Sequence, residues 1–437
     1  MTAIATTSFL EWEARSLLTR LGQHPPLSVT LPAVAAAAPS KAALVAIDRH
    51  LAGQRRTLRS KVHQFLRWLD LPSGRLARDS QKQSRFSLLR LEFNSTLDQL
   101  DIFADALTQR SEHGLGIWLA GLDALAEETL EVLRGLSDPP PLLVYVDRGH
   151  GAAVRRARTR LPGGACNPVT VIRVPRERLV GSGIGSSLIH EVGHQAAALL
   201  GWVESMREAI GTRRRRGGSE QPAWELWNRW ISEIVADLWS LGHVGISATL
   251  GLAAVVSLPR AFVFRIALDD PHPFPWIRVR LSCALGATLF PDPQWERLLN
   301  IWKSLYPAKL ESSSRQALIA SLEGTLPEFV QLLSHHRPPS LRGRSIAEIL
   351  PVRSRRPVQL RELFVRWRRR PDRMSRAPAS LAVAVLGQAR WEGKISPEQE
   401  SRSLGALLTH WALRRSVNSS HVPGIPVNGG PLTALLT

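Results

Sequence analysis

The spacing of apolar residues changes character along the chain. From Phe9 to Leu21, Lys41 to Leu69, Leu88 to Leu107 and Ile117 to Leu136, apolar positions recur every three or four residues. That period lines one face of a helix and predicts a helical N-terminal region. Pro25-Pro26, Pro32, Pro39, Pro72 to Gly74 and Gly114 to Gly116 break it into separate segments.

Asp138-Pro139-Pro140-Pro141 marks a boundary, after which the pattern shifts. Leu142 to Val146 is a short apolar run and Val169 to Val174 alternates, so both read as strands. Gly181 to Gly185 reads as a loop, with Ser186 or Ser187 as the cap of a helix from about Leu188 to Gly201. Arg213 to Arg216, beside Gly217-Gly218, reads as a solvated loop or insertion. Pro222 suits the first turn of a second helix that reaches Ser240 and ends at Gly242. The uncharged stretch Leu238 to Pro259 is diluted by serines, glycines and His243, so it reads as a buried helix pair and not as a membrane span. Past Pro291 to Pro293 the helical period resumes to about Arg415, followed by an irregular tail from Val417. The expected fold is α+β and predominantly helical. The expected regions are a helical 1–137, a catalytic 138–295 and a basic helical 296–437.

The helix at Leu188 carries HEVGH, His190 to His194. Positions four apart on a helix point the same way, so both imidazoles can bind one metal ion. Glu191 lies beside them, in reach of a water on that metal, and can act as general base. A catalytic zinc site needs a third protein ligand. On the second helix, SEIVAD supplies Glu233 as that ligand. Asp237, four residues on, can accept the other ring N–H of a ligating histidine. A carboxylate on so apolar a helix is costly unless paired or metal-bound, though pairing of Glu233 with Arg229 is the simpler alternative.

HExxH followed by ExxxD resembles the gluzincin, thermolysin-like metallopeptidases. The resemblance spans about Gly185 to Gly242. It implies a zincin-like core, a zinc ion held by His190, His194 and Glu233, Glu191 as base, and a peptide or protein substrate. The chain departs from that family in a longer gap between His194 and Glu233, and in Ser232 where the family has asparagine. The rival zincin pattern needs a histidine six residues after His194, and Leu200 stands there. The next histidine, His243, lies among glycines that suggest a helix end.

In the same family a downstream histidine stabilises the oxyanion. Here His272 is the candidate, held in the stiff segment DDPHPFPWIRV, with Arg278 as substitute or helper. Two readings stand equally: that catalytic pair, or a structural turn in which Arg278 pairs with Asp269 or Asp270. The strand before the metal helix would be an edge strand that a peptide can join, or equally a core strand. His150 reads as a turn residue, and His335 and His336 as a solvated helix end.

Charge adds a second reading. Net charge is +19, from 56 Lys+Arg against 37 Asp+Glu, and only six of the basic residues are lysines. Such an excess can mean a nucleic-acid or other polyanionic partner, and Arg213 to Arg216 and Arg366 to Arg370, the latter with Trp367, are the candidate segments. A general preference for arginine would look the same. Two cysteines, Cys166 and Cys283, cannot build a disulfide framework, and no secretory signal is evident, so a cytoplasmic location is expected.

Overall fold

A computed structural model describes residues 6–23, 25–30, 32–148, 152–176, 181–215, 217–267 and 269–419. The fold is predominantly helical with one small sheet, as the apolar periods require. By its contacts the chain divides into two compact units. One comprises Met1–Gly116, Pro140–Tyr145 and Arg155–Val171; the other comprises Ile117–Pro139, Val146–Val154 and Ile172–Thr437.

The first unit is built on α1 (Thr6–Gly22), α2 (Lys41–Asp70) and α3 (Asp79–Thr108). The α1 residues Leu10, Ala14, Leu17 and Leu21 recur at helical spacing and are buried. They meet Leu58, Val62, Phe65 and Leu69 of α2 and Phe86, Leu89 and Phe93 of α3. The Ser40 side chain caps α2 by accepting from the Ala43 N–H.

Three strands form the sheet, β1 (Leu142–Asp147), β2 (Ala153–Arg155) and β3 (Thr170–Pro175), in the order β1-β3-β2. The strand before the HEVGH helix, β3, is therefore central and not an edge. Thr170, Ile172 and Val174 on one face and Val171 on the other are all buried. Both ladders of β3 are taken, so it is the core strand of the two readings.

The second unit holds the site. Its relevant helices are α4 (Leu115–Leu130), α5 (Gly183–Leu200), α6 (Trp202–Arg214), α7 (Gln221–Val244), α8 (Ile246–Val256), α9 (Pro275–Leu289), α10 (Gln294–Leu305), α11 (Ser313–His335), α12 (Pro357–Arg368), α13 (Pro371–Arg376), α14 (Ala379–Trp391) and α15 (Pro397–Ser419). The first two residues of α4 belong to the other unit. Buried Trp202, Trp227, Trp230, Trp239 and Trp276 fill much of its core.

Several local expectations need correction. Helix α5 starts at Gly183, so Ser186 and Ser187 lie inside it and neither is its cap. The Ser186 hydroxyl donates instead to the Ala248 carbonyl. Trp202–Arg214 is a helix, with Trp202, Met206 and Ile210 buried at four-residue intervals, and Arg213 falls in its last turn, bound to Glu328. Helix α7 runs past Gly242 to Val244, and α15 carries the chain past Val417 to Ser419. The stretch Leu238 to Pro259 is largely the end of α7 and α8. Among the described residues no helix is long and apolar enough to cross a membrane. His150, Arg216 and the tail from residue 420 lie outside the described residues.

Candidate metal centre

The site forms where α5 and α7 cross. Gly193 makes the crossing close: a Cβ there would stand 2.9 Å from the Ala236 Cα and 2.9 Å from the Trp239 Cβ. Neither neighbour is a flexible side-chain end, so only glycine lets the two helices approach this far. The Ser240 hydroxyl adds a bond from α7 to the Ser186 carbonyl of α5 at 3.0 Å.

This crossing sets His190 and His194 of α5 against Glu233 of α7. One donor atom from each lies within 4.8 Å of the other two, so the group could hold a metal ion. Two imidazole nitrogens and a carboxylate oxygen converging from two rigid helices are chemically suited to a divalent transition metal. The His190 Nε2 lies 3.2 Å from the Glu233 Oε2, and the His194 Nε2 lies 3.5 Å from the Oε1. Glu233 is buried. Burial alone would raise its pKa, but hydrogen bonds from His190, His194 and His272 overcome this and hold the carboxyl ionised far below the usual range. Pairing of Glu233 with Arg229 is not needed to account for its charge.

The outer nitrogen of His190 is equally committed. Its Nδ1 lies 2.8 Å from the Asp237 Oδ1. Asp237 in turn accepts two bonds from Arg278 of α9, at 2.7 Å from Nε and 2.9 Å from an Nη. Arg278 therefore pairs with Asp237, and not with Asp269 or Asp270. Burial works against a charged His190, but Asp237 outweighs it and the pKa is pushed up to about 9. Asp237 is lowered despite its own burial, chiefly by Arg278 and then by His190.

Glu191 is buried and lines the same cavity as His190, Asp237, His272 and Arg278. Among the described residues none hydrogen-bonds its carboxylate. Burial raises its pKa, which His190 and His194 partly oppose. His272 reaches the site from the loop before α9, with Nε2 3.0 Å from the Glu233 Oε2. Its Nδ1 lies 2.7 Å from the Asp270 Oδ1, which also accepts the His272 backbone N–H. Neither the apolar period nor the HExxH and ExxxD motifs in the sequence mark Asp270 for this buttressing role. The signal that could have found it is Asp-x-His, because aspartate readily bonds the backbone two residues on.

His243 is not in the group. It lies within α7, fully buried, with Nδ1 at the Trp239 carbonyl, and burial pushes its pKa down to about 3. His335 ends α11, and His336 bonds the Ser205 hydroxyl. Beyond the metal residues the cavity, about 180 Å³, is walled by Ser186, Ser240, Ala248, Leu252 and Val255, a lining of small and apolar groups. Comparison of the chain with protein-family models, with curated proteins and with solved structures finds no match.

Proposed function

We propose that the protein is a zinc-dependent hydrolase of the gluzincin type that cleaves amide bonds in peptides or proteins. The observation that carries this reading is the convergence of His190, His194 and Glu233 within 4.8 Å, with the uncommitted Glu191 carboxylate in the same cavity. Zinc, when bound by these three residues, supplies Lewis acidity to a water and to the scissile carbonyl.

The chain's own residues divide the remaining work. Glu191 takes the proton of the attacking water and returns it to the leaving amine. Burial, which raises its pKa in the metal-free chain, makes the carboxylate a stronger base. Asp237 fixes the His190 ring by holding Nδ1, so that Nε2 faces the metal position. Arg278 keeps Asp237 ionised and in place. His272, braced by Asp270 and partly exposed at 44%, is our candidate donor to the developing oxyanion.

The test is a comparison of peptide-library cleavage by the wild-type chain and by Glu191→Gln. The variant should retain its metal and lose turnover by about 10²–10⁴-fold, the usual contribution of a general base. Undiminished cleavage by Glu191→Gln would refute its role.

A further inference from the structure

A second site is suggested far along the chain from the metal residues, in the region of Arg366 to Arg370. Helix α12 is sharply two-sided. Leu360, Phe364 and Trp367 are buried, while Arg366, Arg368, Arg369 and Arg370 are exposed at its end and in the turn to α13. Between α12 and α13 lies an open cavity of about 660 Å³ lined by Arg361, Arg366, Arg369, Arg370 and Arg373, with Glu362 its one acid. Arg368 and Lys394 line an adjoining cavity of about 700 Å³ that shares Arg361 and Arg369.

The charges in this groove are unequal in kind. Arg361 is tied to Asp292 and Glu392. Among the described residues, Arg366, Arg369, Arg370 and Arg373 have no carboxylate partner. Four unpaired guanidinium groups around one concavity repel one another, and an anionic ligand would relieve that repulsion. Guanidinium forks match phosphate oxygens bidentately, which a point charge does not.

We propose that this groove binds the phosphate backbone of duplex nucleic acid without reading its sequence. The chemistry favours this partner over two others. Single strands are held by stacking bases on exposed aromatic rings, and here Phe364 and Trp367 are buried. An anionic membrane surface is engaged by inserted large apolar or aromatic anchors, and the exposed apolar residues of α12 are only Val358 and Val365. A duplex needs neither, only cations at phosphate spacing. The site is separate from the metal centre and does not depend on the hydrolase reading.

The experiment is fluorescence-anisotropy titration of the full-length chain against a short duplex of arbitrary sequence over a range of salt. Four phosphate contacts predict that affinity falls about 100-fold between about 50 and 200 mM salt. A fourfold variant, R366Q/R369Q/R370Q/R373Q, should flatten the log–log salt slope by about 3 to 4 and weaken binding at least tenfold. The corresponding four arginine-to-lysine changes should keep most of the slope. A charge-matched control on α2, R49Q/R56Q/R59Q/R67Q, should bind as wild type. Equal weakening by the groove variant and the control would overturn the proposal, since binding would then follow net charge alone. Tighter binding to a single strand, or to phosphatidylserine vesicles, than to the duplex would also overturn it.

Discussion

Glu233 sits among three imidazoles, and Asp237 sits between an imidazole and a guanidinium. This makes the second carboxylate as consequential as the first. Asp237→Ala removes the acceptor that orients His190 and should weaken metal binding about 10–100-fold in competition with a chelator. It also leaves Arg278 buried without its partner, which should cost about 3–5 kcal/mol in denaturant unfolding. Unchanged metal affinity in that variant would contradict the orienting role. The raised pKa of His190, about 9 against an ordinary 6.5, has two consequences for the metal-free chain. The stability that charged His190 contributes is fully present below about 6.5 and is lost as pH rises through about 9. A metal must displace that proton, so uptake at neutral pH should release it, and affinity should rise about tenfold per pH unit until about 9. Zinc titration of chelator-stripped protein in weak buffer with a pH indicator measures this; no proton release at pH 7 would contradict it. His190, His194, Glu233 and Asp237 were legible in the sequence because a spacing of four on a helix fixes their direction. The pairing of Arg278 with Asp237 was not, because it spans 41 residues and depends on how α9 packs on α7.

Helices α5 and α7 meet through a contact that one added methyl would disrupt. Gly193→Ala places a Cβ against the Ala236 backbone and the Trp239 side chain. It should destabilise the chain by about 1–3 kcal/mol and weaken metal binding, because Glu233 is carried away from His190 and His194. Gly211→Ala in α6 is the useful contrast. Its nearest neighbour is the end of the Arg215 side chain at 3.4 Å, and its backbone is helical. There the change should stabilise by about 0.5–1 kcal/mol. Calorimetry of the two variants separates close packing from helix propensity; equal effects would contradict the close crossing. Most helices follow their apolar period. Trp202, Met206 and Ile210 mark the α6 helix, but the arginines after them carry the signature of a solvated loop. The central place of β3 was not legible, since alternation reports a strand's faces and not its neighbours.

The molecule combines a metal-binding geometry in one unit with a strong excess of arginine over its length. Composition and prolines predict boundaries at 137/138 and 295/296. The contacts group Met1–Gly116 with Pro140–Tyr145 and Arg155–Val171, and place α5 and α7 in the unit that runs on from Ile172. Composition shifts and prolines mark where the chain turns, but they do not say which core each segment joins. The proposed hydrolase function rests on a zinc ion at this group, and so the most direct test is elemental analysis of the full-length protein purified without chelator. The account predicts one zinc per chain, absent from His190→Ala. No bound metal, or stoichiometric iron in its place, would contradict it.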